Sequence, residues 1–295
     1  MSHIPVLLQE VLQYFDPQPN QDYIDATSGA GGHSLAILEK TKPNGRVLSL
    51  DLDERLISKL LLKIKGTELE KRLITVCVNF SEIDQIAKEN GFEKVDGILF
   101  DLGLNSESLE ESGKGFSFLK DEPLDMRFGK EGLTASEIVN TYSLEALTDL
   151  IRNYSQEKYA YSIAQAITKF RQRKPIVTTF DLIDIIKHST PLNYEHRRIH
   201  PATRTFQALR IATNNELQIL EQAIPKALSL LKEQGKIAVI AYHSLEDRII
   251  KNYFREQAKA GHLQILNKKP ITPAASEVSN NFRSRSAKLR IAIKL

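Results

Sequence analysis

The chain has 295 residues, of which 41% are hydrophobic and 26% are charged, and its formal net charge at neutral pH is +3. This composition is typical of a globular protein with one large domain or two. The single cysteine, Cys77, excludes a disulfide framework, and no apolar run is long enough to cross a bilayer. Because the N-terminal residues lack the pattern of a signal peptide, we expect a cytoplasmic protein with no membrane partner.

Strands and helices alternate along the first hundred residues. Four apolar segments, separated by helical patterns, are predicted strands: Tyr23–Ala26, Val47–Asp53, Ile74–Phe80 and Val95–Gly103. Carboxylates stand at the ends of several of these segments. The alternation predicts a parallel sheet with right-handed crossovers.

The alternation stops after the fourth strand and resumes near residue 205. Four helices are predicted in the interval: Ala135–Asn140, Leu144–Tyr154, Lys158–Arg171 and Phe180–Lys187. The polar stretch Glu107–Gly132 has the length and composition of a lid or substrate loop. The segments that follow are a predicted helix, Thr205–Lys232, a fifth strand, Gly235–Tyr242, and two closing strands, Leu263–Leu266 and Ala287–Leu295. The sequence therefore predicts a mixed α/β protein with a discontinuous sheet domain, residues 1–105 and 206–295, and an all-helical insertion, residues 106–205.

A glycine-rich turn follows the first predicted strand, with Gly29, Gly31 and Gly32 within four residues. Glycines at this place allow a tight turn and a close approach of the backbone to a nucleotide-like cofactor. Asp51 follows at about the spacing, roughly twenty residues, of an acid that binds ribose hydroxyls. Ser34 stands where the dinucleotide fingerprint has a third glycine, and Asp25 would repel phosphates. The residues therefore favour S-adenosylmethionine, and a nicotinamide cofactor remains the alternative.

Several later segments form long motifs in a fixed order. They are Asp96-Gly-Ile-Leu-Phe-Asp101-Leu-Gly103, Gly115-Phe-Ser-Phe118, Pro123-Leu-Asp-Met-Arg127, His200-Pro-Ala-Thr-Arg-Thr-Phe-Gln-Ala-Leu-Arg-Ile211, His243-Ser-Leu-Glu-Asp-Arg248 and Arg283-Ser-Arg-Ser-Ala-Lys-Leu-Arg290. Together they resemble the bacterial RsmH (formerly MraW) family, from His3 to the last strand. The resemblance implies a Rossmann-like class I methyltransferase sheet with an inserted helical domain that binds RNA. It also implies methylation, with S-adenosyl-L-methionine, of the exocyclic amine (N4) of the cytidine at nucleotide 1402 in the decoding region of 16S rRNA.

The same resemblance implies a set of cofactor-binding residues. The positions that match the family's donor site are Gly31, Gly32, His33, Asp51, Phe80 and Asp101. A further family contact lies in a Ser-Ser-Pro-Gln-Leu-Asp pattern, which in this chain is Asn105-Ser106-Glu107-Ser108-Leu109-Glu110. Ser108 therefore stands in the place of a glutamine and carries a shorter side chain.

Amine methylation sets requirements on the acceptor side of the site. The lone pair of the cytosine amine is delocalised into the ring, so groups that accept its hydrogen bonds and its proton are needed. We expect them at the end of the fourth strand, where Asp101, Asn105 and Ser106 are the candidate catalytic residues. A carbon-five methyltransferase would instead need a nucleophilic cysteine. Cys77 is expected in the core, which counts against that chemistry.

The sequence offers several candidate RNA contacts for the expected partner, 16S rRNA or the small ribosomal subunit. Three basic clusters are present: Lys169, Arg171, Arg173 and Lys174; Arg197, Arg198, Arg204 and Arg210; and Arg283, Arg285, Lys288 and Arg290. The aromatic candidates for base stacking are Phe116, Phe118, Tyr242 and Phe282. The histidines His188, His196 and His200, with Glu195, do not match the spacing of a zinc site.

Two questions stay open at this point. A non-catalytic ribosome-assembly factor that keeps the methyltransferase fold is the second functional hypothesis. The sequence does not give the oligomeric state, and a homodimer is one alternative.

Overall fold

A computed structural model of the chain describes residues 5–103, 112–191, 194 and 199–295. The chain divides into two compact units, of which the first ends at Gly103 and resumes at Leu217, and the second lies between them up to Glu216. None of the helices described is long and apolar enough to cross a membrane.

The first unit contains a seven-stranded sheet with the strand order β3-β2-β1-β4-β5-β7-β6. The strands are β1 (Tyr23–Asp25), β2 (Val47–Asp51), β3 (Leu73–Cys77), β4 (Val95–Asp101), β5 (Leu231–Ala241), β6 (Leu263–Ile265) and β7 (Lys288–Lys294). Strands β1 to β5 are parallel, and β7 is antiparallel to both β5 and β6. The predicted Rossmann-like class I methyltransferase sheet is confirmed. The strand order reverses between β1 and β4, and ligands of such sheets bind at the carboxyl ends of the strands beside this switch point.

Twelve helices are described in the two units together. They are α1 (Leu8–Phe15), α2 (Gly32–Lys40), α3 (Glu54–Ile64), α4 (Ile83–Glu89), α5 (Ala135–Thr141), α6 (Leu144–Ser155), α7 (Ala160–Arg171), α8 (Thr179–Ser189), α9 (Thr203–Asn214), α10 (Glu216–Leu230), α11 (Ser244–Lys259) and α12 (Ala275–Asn280). In the first unit the sheet lies between two apolar cores. Ile83, Ile224 and Ile250 of α4, α10 and α11 belong to one core, and Ile37 and Leu60 of α2 and α3 belong to the other.

The second unit is built from helices α5 to α9 around a separate apolar core. Ile138, Ile151 and Ile163 are all within 1% of complete burial. Each such side chain contributes about 1.5–3 kcal/mol relative to an exposed one, so the helices hold together by packing. The first of them, α5, begins with a capping box in which Glu137 N donates to Thr134 Oγ1 at 3.1 Å and Thr134 N donates to Glu137 Oε2 at 2.7 Å.

The predicted single helix over Thr205–Lys232 is divided in the structure. Asn215 adopts a left-handed backbone with φ of 50°, so α9 ends at Asn214 and α10 begins at Glu216. Asparagine tolerates this conformation better than most residues with a side chain. A helical pattern of apolar residues runs across the break, which is why the sequence pattern alone does not predict it.

Candidate functional site

The backbone of the turn after β1 forms hydrogen bonds with both neighbouring strands of the sheet. Ala26 N donates to Leu99 O at 2.9 Å, and Ser28 N donates to Leu50 O at 2.8 Å, so the chain beyond β1 stays anchored between β4 and β2. Ser28 Oγ is buried and has no hydrogen-bond partner in the part of the chain that the structure describes. Such a buried hydroxyl is expected to gain a partner when a polar ligand binds beside it.

Two glycines of this turn are required by packing. Gly31 has φ of 81°, and a Cβ there would lie 2.2 Å from Leu60 Cδ1. A Cβ on Gly32 would lie 2.2 Å from Pro5 Cγ. The turn therefore lies directly against α3 on one side and the N-terminal segment on the other, with its backbone close to both.

Asp51, at the end of β2, is tied to the same turn. Its Oδ2 accepts from Gly29 N at 2.7 Å, and its Oδ1 accepts from Asp53 N at 2.9 Å. Burial raises the pKa of Asp51, while the backbone donors of Asp53 and Gly29 act in the opposite direction. The structure thus brings Asp51 and the glycine turn together, as the spacing predicts.

Asp101, at the end of β4, lies across the switch point from the turn. Its backbone N–H donates to Thr27 Oγ1 at 2.6 Å, and Gly103 N donates to its Oδ1 at 3.1 Å. The buried His33 lies beside it, with Nδ1 3.9 Å from Asp101 Oδ2 and Nε2 3.1 Å from Val6 O. The backbone of Asp101 is therefore held by the turn after β1, and its carboxylate lies against Gly103 of its own loop and His33 of α2.

Tyr242 is the partner of Asp101 that sequence reasoning missed, since we predicted it as a stacking residue. Its hydroxyl lies near the Asp101 carboxylate, and burial followed by that negative charge raises the pKa of Tyr242. A Cβ on Gly103 would lie 2.6 Å from Tyr242 Cζ, so the ring packs against that glycine. The one sequence feature that points to this contact is the position of Tyr242 at the end of the predicted fifth strand, which lies next to β4 in the structure.

Asp25 is buried beneath the turn. Its exposure is 1%, its Oδ2 accepts from Ser34 Oγ at 2.6 Å, and its Oδ1 accepts from Thr27 N at 3.3 Å. Burial raises the pKa of Asp25, opposed by His33 and by the hydrogen bond from Ser34. Asp25 therefore stabilises the turn through its hydrogen bonds with Ser34 and Thr27.

Phe80 and Cys77 lie near the end of β3. The Phe80 ring packs edge-on against Phe100, with centroids 5.5 Å apart. The expectation that Cys77 lies in the core is wrong, because β3 is the outermost strand and the cysteine is exposed. Desolvation by its neighbours and the negative charge of Glu54 raise the pKa of the exposed thiol, which lowers its thiolate fraction at neutral pH.

The histidine of the His-Ser-Leu motif begins α11. His243 is the N-cap, with its Nδ1 accepting from Glu246 N at 3.4 Å. Glu246 Oε2 in turn accepts from Tyr242 N at 2.8 Å and from His243 N at 3.2 Å. The motif therefore fixes the backbone that carries Tyr242 to Asp101.

Three predicted site residues, Asn105, Ser106 and Ser108, lie outside the described residues. The same holds for Glu195, His196, Arg197 and Arg198. Among the described histidines of the zinc alternative, His200 stacks on Phe118 with centroids 4.6 Å apart.

Several candidate RNA contacts are engaged within their own unit. Arg290 Nε lies 2.6 Å from Asp247 Oδ1, and Arg210 Nε lies 2.7 Å from Glu216 Oε1. In contrast, Phe282 is 66% exposed, with the Arg285 guanidinium 4.1 Å from its ring centroid. Arg290 is therefore an internal ion-pair residue, while Phe282 and Arg285 stay accessible.

The sequence is similar to known proteins over nearly its whole length. The model of the MraW methylase family matches residues 1–295. The chain belongs to the MraW methylase family. Its similarity to curated relatives covers nearly the whole length of each chain. A protein of Heliobacterium mobile named ribosomal RNA small subunit methyltransferase H is 42% identical, over 99% of both chains.

Two further relatives carry the same name. The protein from Dehalococcoides mccartyi is 44% identical over 99% of this chain and 86% of its own length. The protein from Halothermothrix orenii is 44% identical over 99% and 98%. A solved structure from Clostridium thermocellum, described as a candidate rRNA-methylase, has a TM-score of 0.49 at 14% identity, covering 99% of this chain and 100% of that one. Membership of the MraW methylase family therefore rests on the family match and the sequence relatives.

Proposed function

We propose that this member of the MraW methylase family uses S-adenosyl-L-methionine to methylate the N4 amine of the cytidine at nucleotide 1402 of 16S rRNA. The observation that carries the proposal is the meeting of the glycine turn, Asp51 and Asp101 at the switch point of the sheet. The curated relatives are named as methyltransferases of small subunit rRNA, which supports the substrate class.

The donor side of the proposal rests on the fit between cofactor chemistry and side chains. Bound S-adenosylmethionine supplies an electrophilic methyl group on a sulfonium centre. Asp51 offers carboxylate oxygens to ribose hydroxyls, and the unpartnered Ser28 Oγ offers a further hydrogen-bonding group beside the turn. Phe80 offers an apolar surface to an adenine ring. Gly31, whose N–H donates to Ser28 O, would let the backbone approach the ligand closely, and Gly32 and His33 would offer backbone N–H groups at the start of α2.

The acceptor side of the proposal concerns Asp101. A carboxylate that accepts a hydrogen bond from the cytosine amine increases the availability of its nitrogen lone pair and receives the proton that the amine loses. The Tyr242 hydroxyl lies beside this carboxylate and can donate a hydrogen bond that fixes its direction, which would make Tyr242 a positioning residue. Asn105 and Ser106 complete the proposed acceptor set from the segment that follows β4.

The proposal is tested by transfer of a labelled methyl group. Small subunits from cells that lack this gene are incubated with purified protein and labelled S-adenosylmethionine, and incorporation into 16S rRNA is measured. We expect stoichiometric incorporation with wild type and at least a hundredfold slower transfer with Asp101→Ala, the range typical of lost general acid–base catalysis. A fully active Asp101→Ala variant would remove the role of Asp101.

Two alternatives predict other outcomes. If the protein is a non-catalytic assembly factor, 16S rRNA from cells lacking the gene is normally methylated. If the cofactor is a nicotinamide, calorimetry detects binding of the dinucleotide and none of S-adenosylmethionine.

A further inference from the structure

A basic cavity lies in the first unit, on the far edge of the sheet. It has a volume of about 510 Å³ and lies between α11, β6 and the loop after β6. Phe254, Leu263 and Ile265 form an apolar floor, and Lys251, Arg255 and Lys268 stand around it. The volume is within the roughly 300–1,000 Å³ that is usual for ligand sites.

The side chains that line this cavity carry an excess of positive charge. No acidic side chain is among the described residues that line it. Arg290 also lines the cavity, but Asp247 neutralises it at 2.6 Å. The side chains of Lys251, Arg255 and Lys268 make no hydrogen bond or ion pair with any other described residue. Lys251 and Arg255 share one helix face at i, i+4 spacing. Three neighbouring uncompensated cations favour an anionic ligand.

The cavity is too far from the proposed reaction site to hold the methyl acceptor. Lys251 and Arg255 are eight and twelve residues beyond His243, where α11 begins at the carboxyl end of β5. At a rise of about 1.5 Å per residue, they lie roughly 12 and 18 Å along the helix from that end. A ligand here that also belongs to the substrate must be a neighbouring part of the same polymer.

We infer that this cavity is an auxiliary RNA-binding site, which holds a nucleotide of a single-stranded segment flanking the methylated base. The phosphates contact Lys251, Arg255 and Lys268, and the base lies against the apolar floor formed by Phe254, Leu263 and Ile265. This inference rests on the proposed rRNA substrate. The choice of RNA over an acidic protein segment follows from the combination of clustered cations and apolar lining residues, which suits alternating phosphates and bases.

The test compares two double variants that each remove two positive charges. Lys251→Gln/Arg255→Gln changes the cavity. Lys71→Gln/Lys88→Gln changes exposed residues on other elements that do not line it. The affinity of each variant for a single-stranded RNA with the decoding-region sequence is measured by fluorescence anisotropy at salt concentrations from about 50 to 200 mM. In this range the affinity depends strongly on phosphate contacts.

The cavity variant is expected to bind the RNA about tenfold more weakly, with a salt slope reduced by about 0.7 for each lost phosphate contact. Its affinity for S-adenosylmethionine and its rate at saturating RNA stay at the wild-type values. Equal RNA affinity in the cavity and control variants would overturn the inference. The inference would also be overturned if the cavity variant bound RNA normally but no longer bound free ATP, because the cavity would then be a mononucleotide site.

These results are separate from those that test the enzyme activity. If wild type transfers no methyl group but its RNA affinity depends on Lys251 and Arg255, the proposed reaction fails and the cavity inference stands. If wild type methylates rRNA and the cavity variant binds RNA normally, the inference about the cavity fails alone.

Discussion

The backbone N–H of Gly29 donates to Asp51 Oδ2 at 2.7 Å, which ties the glycine turn to the acid at the end of the second strand. The other oxygen of Asp51 accepts from Asp53 N. One carboxylate thus fixes the two loops that would surround the ribose of a bound cofactor. This arrangement explains why a turn and an acid 22 residues apart act as one unit.

Asp51→Asn tests this arrangement. The amide keeps the shape of the side chain but replaces one accepting oxygen by a donor. We expect the Kd for S-adenosylmethionine to rise about tenfold or more, because a hydrogen bond to a charged group contributes roughly 1.5–3 kcal/mol. Calorimetry measures the change. Asp53→Asn is the control, since asparagine is an equally good N-cap and should leave the Kd unchanged. Equal affinity in wild type and Asp51→Asn would contradict the assignment.

Asp25 predicts an unusual pH dependence of stability. Burial raises its folded-state pKa above the unfolded-state value, so the ionised carboxylate costs stability above the folded pKa and costs nothing below the unfolded one. We therefore expect the unfolding free energy of Asp25→Asn to increase relative to wild type as the pH rises from about 4. Urea unfolding at several pH values measures the difference. A difference that does not vary with pH would be evidence against a raised pKa.

Asp84 gives a control of opposite sign. Burial alone would raise the pKa of Asp84, but the hydrogen bonds from Lys226 and from the Gln85 backbone, together with the charge of Lys226, outweigh it and the pKa is lowered. Its stabilising contribution is present above the unfolded pKa and is lost as the pH falls through the folded one. Asp84→Asn should therefore become less stable relative to wild type as the pH rises, by a small amount because the pair is partly exposed.

Gly103→Ala tests the contact between the loop after β4 and Tyr242. The added methyl group would lie 2.6 Å from the ring, which must move. We expect a loss of stability of about 1–3 kcal/mol, typical of overpacking, together with slower methyl transfer as Tyr242 leaves Asp101. Gly129→Ala is the matched control, because nothing lies within 4 Å of its Cβ position. Thermal unfolding and transfer rates are measured for both; normal rates in Gly103→Ala would argue against a positioning role for Tyr242.

Arg290→Ala separates structural from RNA-binding arginines in the C-terminal motif. It leaves Asp247 partly buried without its guanidinium partner, and the expected loss is about 3 kcal/mol in urea unfolding. The exposed Arg285 should instead cost at most about 0.5 kcal/mol when replaced by alanine. Equal stability of the two variants would show that the Arg290–Asp247 ion pair does not hold β7 to α11.

The parallel part of the sheet could be predicted because its strands are apolar segments that alternate with helical patterns, and three of them, β1, β2 and β4, end in an aspartate. The positions of Asp51 and Asp101 followed from the rule that parallel strands end at one edge. Cys77 could not be placed, since the same apolar pattern suits an outer and an inner strand, and only the order of strands in the sheet decides. The break at Asn215 is a single backbone conformation inside an unbroken helical pattern.

The proximity of Tyr242 to Asp101 could not be predicted from the sequence either. It depends on the adjacency of β4 and β5, which are separated by more than a hundred residues of chain that include the second unit. The glycine turn alone predicted a cofactor of nucleotide type. The substrate was predicted only from the later motifs, on which the resemblance to the family rests.

Mass spectrometry of 16S rRNA fragments tests the central claim most directly. Unmethylated small subunits are incubated with the protein and S-adenosylmethionine, digested, and compared with a reaction that lacks the cofactor. We predict a single new methyl group on the N4 atom of cytidine 1402, in the reaction that contains the cofactor and not in the one that lacks it. A methyl group on carbon five, on another nucleotide or on no RNA at all, from protein that binds S-adenosylmethionine, would contradict it.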